Sequence, residues 1–219
     1  MIPAKICGIT RLEDALLAAE LGAAAIGFIF YSRSARYIEA VAAGRISEQL
    51  PQRMARVGVF VNPDPETMIR TAEMAHLTHV QLHGDENRTL CEQSPLPVIK
   101  TVRNLVELEK YENFSAAAFL VDSKTAEQFG GTGQKSDWNF CRQVRERAPV
   151  ILAGGLAATN IAPAIAAAMP DAVDLSSAVE HAPGIKDHQK LRDFFAALKS
   201  VACNKLSFRR NPFAIQDEC

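Results

Sequence analysis

A chain of 219 residues that is 48% hydrophobic and 22% charged has the composition of a globular protein with a substantial core. Its 24 lysines and arginines nearly balance 25 aspartates and glutamates, which gives a formal net charge of -1. This balance argues against a nucleic-acid surface or a polybasic membrane segment, and it favours a small-molecule ligand. The sequence begins without the pattern of a secretory leader and contains no apolar run of membrane-spanning length, so we expect a cytoplasmic protein.

The cysteines are scattered, with neither a CxxC motif nor a Cys/His pairing at zinc spacing; they are Cys7, Cys91, Cys141, Cys203 and Cys219. This pattern predicts reduced thiols and no structural metal. The oligomeric state does not follow from the sequence.

Short apolar runs alternate eight times with longer segments of helical period. The predicted strands are Ala4–Cys7, Ala25–Phe30, Arg56–Val61, His79–His83, Val98–Val102, Ala117–Asp122, Val150–Ala153 and Ala172–Leu175. The predicted helices are Leu12–Leu21, Ala40–Leu50, Pro65–Ala75, Asn87–Gln93, Leu105–Tyr111, Asp137–Arg147, Asn160–Ala168 and Lys186–Ser200.

Strands separated by helices make right-handed crossovers within a parallel sheet. Eight such units in about two hundred residues predict a single α/β domain, a (β/α)8 TIM barrel, over residues 1–202. An open, doubly wound sheet is the alternative, but no G-x-G-x-x-G motif follows the first strand. Residues 203–219 keep no period and are interpreted as an accessory C-terminal tail, docked or frayed.

The active site of such a barrel lies where the strands end, so the residues that end each run are the candidates. They include Cys7, the segments 81–84 and 153–155, Asp122, and the segment 174–177. Because side chains alternate along a strand, Lys5 shares the face of Cys7. Lys100 is also expected to face inward, so that two lysines balance Asp122 and Asp174. On its own this set also fits a structural ion-pair network, and a lone Cys7 also fits a buried apolar residue.

Glycines and a possible helix cap mark several of these strand ends. Gly8 permits a sharp turn, and Thr10 to Glu13 has the pattern of a capping box that opens the first helix. Gly154 and Gly155 lie between a strand and a helix, where backbone N–H groups bind phosphate well. Neighbouring Ser176, Ser177 and Ala178 are expected to share that site. The three glycines of residues 130–133 predict a mobile lid.

Together these motifs resemble the phosphoribosylanthranilate isomerases, barrel enzymes of tryptophan biosynthesis. The resemblance runs from about Lys5 to about Leu198. The motifs that carry it, in order, are Lys5-Ile6-Cys7-Gly8-Ile9-Thr10, Gly27-Phe28-Ile29-Phe30, Ser34-Ala35-Arg36-Tyr37, Gly58-Val59-Phe60-Val61-Asn62, Gln81-Leu82-His83-Gly84, Leu120-Val121-Asp122, Gly130-Gly131-Thr132-Gly133, Leu152-Ala153-Gly154-Gly155-Leu156 and Asp174-Leu175-Ser176-Ser177.

The resemblance implies an Amadori rearrangement of N-(5'-phosphoribosyl)anthranilate, with no cofactor or metal. It assigns Asp122 as the acid that opens the ribose ring and Cys7 as the base that takes the C2 proton. Lys5 and the nearby helix start are expected to favour the thiolate.

The same resemblance implies the contacts of the substrate. Arg36 meets the anthranilate carboxylate, while His83 contacts the anthranilate or a sugar hydroxyl and Asp174 contacts the sugar or the loop network. The phosphate lies across Gly154, Gly155, Ser176, Ser177 and Ala178.

Two positions depart from the family pattern, and three other functions stay open. The family usually has glycine at Ala178 and proline at Ala35, so a positive φ at Ala178 would strain the phosphate loop.

The alternatives are a related aminoaldose-ketose isomerase of histidine biosynthesis, a non-catalytic phosphate-binding barrel and an interaction protein. Two aspartates are expected in the first, and Cys7 argues against it.

Overall fold

The computed structural model of the chain describes residues 1–122, 134–201 and 211–215, with the backbone alone for residues 134–137. The predicted lid at residues 130–133 and most of the predicted tail lie outside these ranges. Within the described ranges, no helix combines the length and the apolar character that a membrane span requires.

Eight parallel strands pair in chain order, and the eighth pairs with the first to close the barrel. The strands are β1 (Ala4–Cys7), β2 (Ala25–Ile29), β3 (Ala55–Phe60), β4 (His79–Leu82), β5 (Val98–Val102), β6 (Ala118–Asp122), β7 (Val150–Ala153) and β8 (Ala172–Leu175). The helices are α1 (Leu12–Leu21), α2 (Ala40–Ser47), α3 (Pro65–Met74), α4 (Arg88–Glu92), α5 (Leu105–Glu109), α6 (Gln134–Arg147), α7 (Ile161–Ala168) and α8 (His188–Ser200). This architecture confirms the predicted (β/α)8 barrel and excludes the open sheet.

A small hairpin follows the last barrel strand. A 3-10 turn, Ser177–Val179, leads into the antiparallel strands β9 (Glu180–Ala182) and β10 (Ile185–Lys186). The predicted eighth helix therefore starts two residues too early. Lys186 belongs to β10, and α8 begins only after Asp187, whose carboxylate accepts from the amides of Gln189 and Lys190.

The predicted capping box at the start of α1 is wrong. The N-cap residue is Arg11, and no side chain caps this helix end. The hydroxyl of Thr10 donates instead to the carbonyl of Gly184 in the turn between β9 and β10. A tertiary contact has thus replaced the local one that the sequence pattern suggested.

The two buried lysines of the barrel strands lie on different faces of the sheet. Lys5 points into the barrel, where its Nζ lies 3.0 Å from Oδ2 of Asp174. Lys100 shares its strand face with Val98 and Val102, which pack in the layer between sheet and helices. The expectation that Lys100 faces inward to balance an aspartate is therefore wrong, and its partner is Glu86 at 2.9 Å.

The interior of the barrel contains a residue from far along the chain. Phe213, only 2% exposed, packs in one cluster with inward-facing strand residues, among them Ala25, Ala55, Ile99 and Ala118. Three of these four are the first residues of their strands and Ile99 is the second of β5, which places Phe213 toward the N-terminal end of the barrel. The described part of the predicted tail, residues 211–215, is therefore docked.

We predict that Phe213→Ala lowers the free energy of unfolding by about 2–3 kcal/mol, the usual gain from burying a phenylalanine side chain. Urea unfolding measures this change. As a control, Val106→Ala removes an exposed apolar side chain, 68% accessible on α5, and should stay within about 0.5 kcal/mol. Equal stabilities of Phe213→Ala and the parent chain would mean that docking of the segment contributes nothing.

Candidate active site

One cavity of about 320 Å³ opens at the C-terminal ends of the barrel strands. All of the candidate residues lie in its wall: Cys7, Arg36, His83, Asp122, Gly154, Gly155, Asp174, Ser176, Ser177 and Ala178. They meet there because the strands of a barrel end at one rim. Further wall residues, to which the sequence analysis gave no role, are Ile29, Tyr31, Ser34, Val59, Val61, Leu156 and Leu175. The apolar ones and Tyr31 offer a surface for an aromatic ring.

Cys7 ends β1 with its side chain inside the barrel. Gly27 on the neighbouring strand makes room for it, because a Cβ at Gly27 would lie only 2.8 Å from the Cys7 sulfur. Burial raises the pKa of the thiol, and the cations of Lys5 and Lys186 oppose this without cancelling it. The thiol is therefore mostly protonated at neutral pH. The charge of Lys5 favours the thiolate, as expected, but does not outweigh the burial.

Asp174 lies in the wall of the cavity and pairs with Lys5, which is fully buried behind it. Burial alone would lower the pKa of Lys5, but Asp174 and Cys7 outweigh it and the pKa is raised, so the ammonium stays charged. Asp174 accepts from Lys5 through Oδ2 only. Within the described residues, its Oδ1 has no hydrogen-bond partner although it is buried. Such an oxygen in a cavity wall is suited to accept a hydrogen bond from a ligand hydroxyl.

Asp122 and His83 lie at the ends of β6 and β4. Burial lowers the pKa of His83, although the Asp122 carboxylate opposes the shift, so the imidazole is neutral at neutral pH. Its Nδ1 lies 3.1 Å from the Thr101 hydroxyl and 3.2 Å from Nε2 of Gln81. A neutral imidazole held in this way is a positioned hydrogen-bonding group rather than a cation.

Two adjacent loops provide backbone for an anion. Gly154 and Gly155 both have positive φ, +80° and +66°, which glycine adopts without strain. Beside them Ser177 begins the 3-10 turn, and the first N–H groups of a helical turn have no partner within it. Ala178 lies inside this turn and does not have a positive φ. The substitution of glycine by alanine at this position is therefore not strained.

The side chain of Arg36 lies against the backbone of Gly8, the residue that follows β1. A Cβ at Gly8 would lie 2.7 Å from Arg36 Cδ, and the φ of +75° at Gly8 also favours glycine. The guanidinium binds the buried Glu180 carboxylate through Nε and Nη2, with the shortest contact 2.7 Å. Glu180 in turn accepts from Lys186, whose Nζ also donates to the carbonyl of Cys7 at 2.6 Å. Sequence reasoning missed Glu180 and Lys186 because no motif marks them.

No cluster of three or more His, Cys, Asp or Glu side chains suited to a metal ion occurs within residues 1–122, 138–201 and 211–215. The groups in the cavity are therefore an acid, a thiol, a neutral imidazole, cations and backbone amides. This set supports proton transfer on a bound anion.

Comparison with known proteins identifies the same chemistry. The family model described as N-(5'phosphoribosyl)anthranilate (PRA) isomerase matches residues 4–197. A protein of that name from Syntrophus aciditrophicus is 47% identical over 202 residues, covering 91% of this chain and 88% of its own. Another from Thermotoga maritima is 44% identical over 206 residues, covering 92% of this chain and all of its own.

Solved structures agree with these relatives. The crystal structure of the phosphoribosyl anthranilate isomerase from Thermotoga maritima superposes with a TM-score of 0.82 at 44% identity, over 91% of this chain and 99% of that one. A second isomerase structure, in complex with reduced 1-(o-carboxyphenylamino)-1-deoxyribulose 5-phosphate, gives a TM-score of 0.79 at 42% identity, again over 91% and 99%. The chain belongs to the N-(5'-phosphoribosyl)anthranilate isomerase family.

Proposed function

We propose that this protein converts N-(5'-phosphoribosyl)anthranilate to 1-(2-carboxyphenylamino)-1-deoxyribulose 5-phosphate, a step of tryptophan biosynthesis. The observation that carries the proposal is that Cys7 and Asp122 share one cavity with two separate anion-binding features. These are the Arg36 guanidinium and the backbone around Gly154 and Ser177. A substrate with one carboxylate and one phosphate needs both features.

The reaction begins with an acid. In the proposed first step Asp122 gives a proton to the ribose ring oxygen, and the bond from that oxygen to C1 breaks. The nitrogen lone pair forms the C1–N double bond of a protonated Schiff base. His83 and Asp174 are placed to contact the anthranilate or the sugar hydroxyls, in keeping with their positions in the wall.

A base then acts on C2. The Cys7 thiolate takes the C2 proton, and the electron pair of that bond forms the C1–C2 double bond of an enolamine. At the same time the π electrons of the C1–N double bond return to nitrogen as a lone pair. Protonation at C1 and loss of the proton on the C2 hydroxyl give the aminoketose. The substrate gains two protons and loses two, so the rearrangement needs no oxidant, reductant or organic cofactor.

The alternatives have less support. The related isomerase of histidine biosynthesis is expected to place an aspartate where this chain has Cys7. A non-catalytic phosphate-binding barrel would not need a thiol and a carboxylate in one cavity. An interaction protein would require an exposed apolar surface, whereas the tail residue Phe213 is buried. We propose the cytoplasm as the location, since a catalytic thiol persists best in a reducing compartment.

The direct test is turnover. The purified protein is mixed with freshly generated phosphoribosylanthranilate, and the loss of substrate fluorescence is followed. Folded protein without turnover would refute the proposed function.

We predict that Cys7→Ser and Asp122→Asn each lower kcat by about 10²–10⁴-fold, the usual contribution of a positioned acid or base. Binding of the reduced product analogue, measured by calorimetry, should change little because neither residue is proposed to bind the anionic groups. Matched controls are Cys91→Ser on α4 and Asp193→Asn on α8, which lie outside the cavity. If either variant retains activity near that of the parent chain, the residue it replaces does not have its assigned role.

We predict how the alkylation of the Cys7 thiol depends on pH. Because burial raises its pKa, alkylation by iodoacetamide should be slow at neutral pH and should increase through pH 9, the ordinary thiol value. Lys5 favours the thiolate, so Lys5→Met should move the midpoint to still higher pH. Mass spectrometry of the Cys7 peptide follows the reaction. A midpoint below that of a free thiol, or a downward shift in Lys5→Met, contradicts the electrostatics described above.

We predict that two substitutions in the phosphate loops affect KM to different extents. Gly155→Ala places a side chain at a φ of +66°, so we expect KM to rise about tenfold, equivalent to the usual cost of 1–2 kcal/mol for that conformation. Ala178→Gly restores the usual family residue at an unstrained position, so KM should change by less than about threefold. Steady-state kinetics and inhibition by inorganic phosphate measure both. The opposite order of effects would mean that Ala178 is the strained position.

A further inference from the structure

Glu180 is a buried carboxylate that the mechanism above does not use. It begins β9, outside the wall of the cavity, and its side chain is 4% exposed. Its oxygens accept from Nε and Nη2 of Arg36, from Nζ of Lys186 at 2.9 Å and from the amide of Gly184 at 3.3 Å. A carboxylate with this many donors has a single arrangement available to it.

The contact with Glu180 takes up one edge of the Arg36 guanidinium. A guanidinium has five N–H groups in a planar fork. Glu180 occupies the edge formed by Nε and Nη2, at 2.9 and 2.7 Å. The other edge, made by Nη1 and the second N–H of Nη2, remains for a ligand, and its two parallel N–H groups match a carboxylate.

Charge also favours an anion at this point. The hydrogen bonds from Arg36 and Lys186 outweigh the burial of Glu180 and lower its pKa, so it is ionised at neutral pH. One carboxylate between two cations leaves one net positive charge. Arg36 retains that charge on the side chain that lines the cavity.

The same network connects Arg36 to the proposed base. Lys186 is fully buried, and its Nζ bridges Glu180 and the carbonyl of Cys7. Its amide donates to Asp14 on α1 at 2.9 Å. The group that meets the ligand carboxylate and the strand end that carries the thiol are therefore held by one set of buried charges.

We propose that Glu180 is a positioning residue that sets the specificity for an ortho-carboxylated aromatic amine, by holding the free edge of Arg36 toward the cavity. The proposal rests on the proposed function, in which Arg36 receives the substrate carboxylate. Of the two cations that Glu180 binds, only Arg36 is among the wall residues of the cavity. The effect of Glu180 on binding therefore belongs to the carboxylate of the substrate and not to its sugar or phosphate.

Two substrates separate this role from a structural one. Phosphoribosylanthranilate carries the carboxylate, and the phosphoribosyl derivative of aniline lacks it. In Glu180→Gln, KM for the first should rise about tenfold or more while kcat stays within about threefold, the pattern of lost binding rather than lost chemistry. The kinetic constants for the aniline derivative should stay within about twofold. The control Glu48→Gln changes an exposed carboxylate and should leave both substrates unaffected.

A double-mutant cycle with Arg36→Met completes the test. The effect of Glu180→Gln should disappear in the Arg36→Met background, because no guanidinium is left to position. A loss that is equal for both substrates, that persists with Arg36→Met, or that does not occur at all overturns the proposal. If Glu180→Gln does not fold, Glu180→Asp keeps the charge beside Lys186 and should show the same selective rise in KM, of smaller size.

The parent chain distinguishes the two proposals. If it does not turn over phosphoribosylanthranilate, the proposed function fails, and this inference fails with it. If it does so and Glu180→Gln behaves like the parent chain with both substrates, only the inference about Glu180 fails.

Discussion

The ion pair between Lys5 and Asp174 lies across the seam where β1 meets β8, and the two residues are direct partners in that register. Two charges inside a barrel are tolerated only together, since removing one leaves an uncompensated charge at a cost of about 3–5 kcal/mol. A shift of either strand by one residue would turn its charge to the other face of the sheet. The pair thus specifies how the barrel closes, and it places Cys7, two residues farther along β1, at the cavity wall.

Most of the fold was predictable because parallel strands covered on both faces must be short, apolar and separated by helices. The exceptions have two physical causes. The run Val98–Val102 is buried on both faces, so its sequence does not reveal which side chains point inward, and Lys100 was assigned to the wrong face. Similarly, the cap predicted for Thr10 depended on neighbours in the chain, whereas its partner, Gly184, lies 174 residues away.

The candidate site was predictable to the extent that strand ends converge at the rim of a barrel, and Cys7 and Asp122 are both strand ends. Glu180 and Lys186 were not predictable in this way. They belong to strands of three and two residues, too short for a period, and Lys186 fits equally well as the first residue of a helix. Only their long-range partners, Arg36 and the carbonyl of Cys7, give them significance.

Phe213 also has a consequence for the order in which the molecule forms during synthesis. Its cluster in the barrel interior also contains Ala25 of β2, near the beginning of the chain, and β1 pairs with β8 across a similarly long stretch of chain. On the ribosome, β1 therefore has an unpaired edge until β8 emerges, and the bottom of the barrel stays unfilled until Phe213 follows. Contacts of such long sequence separation form slowly, and an open sheet edge invites pairing with other chains. The nascent chain is therefore most vulnerable to aggregation just before β8 is made.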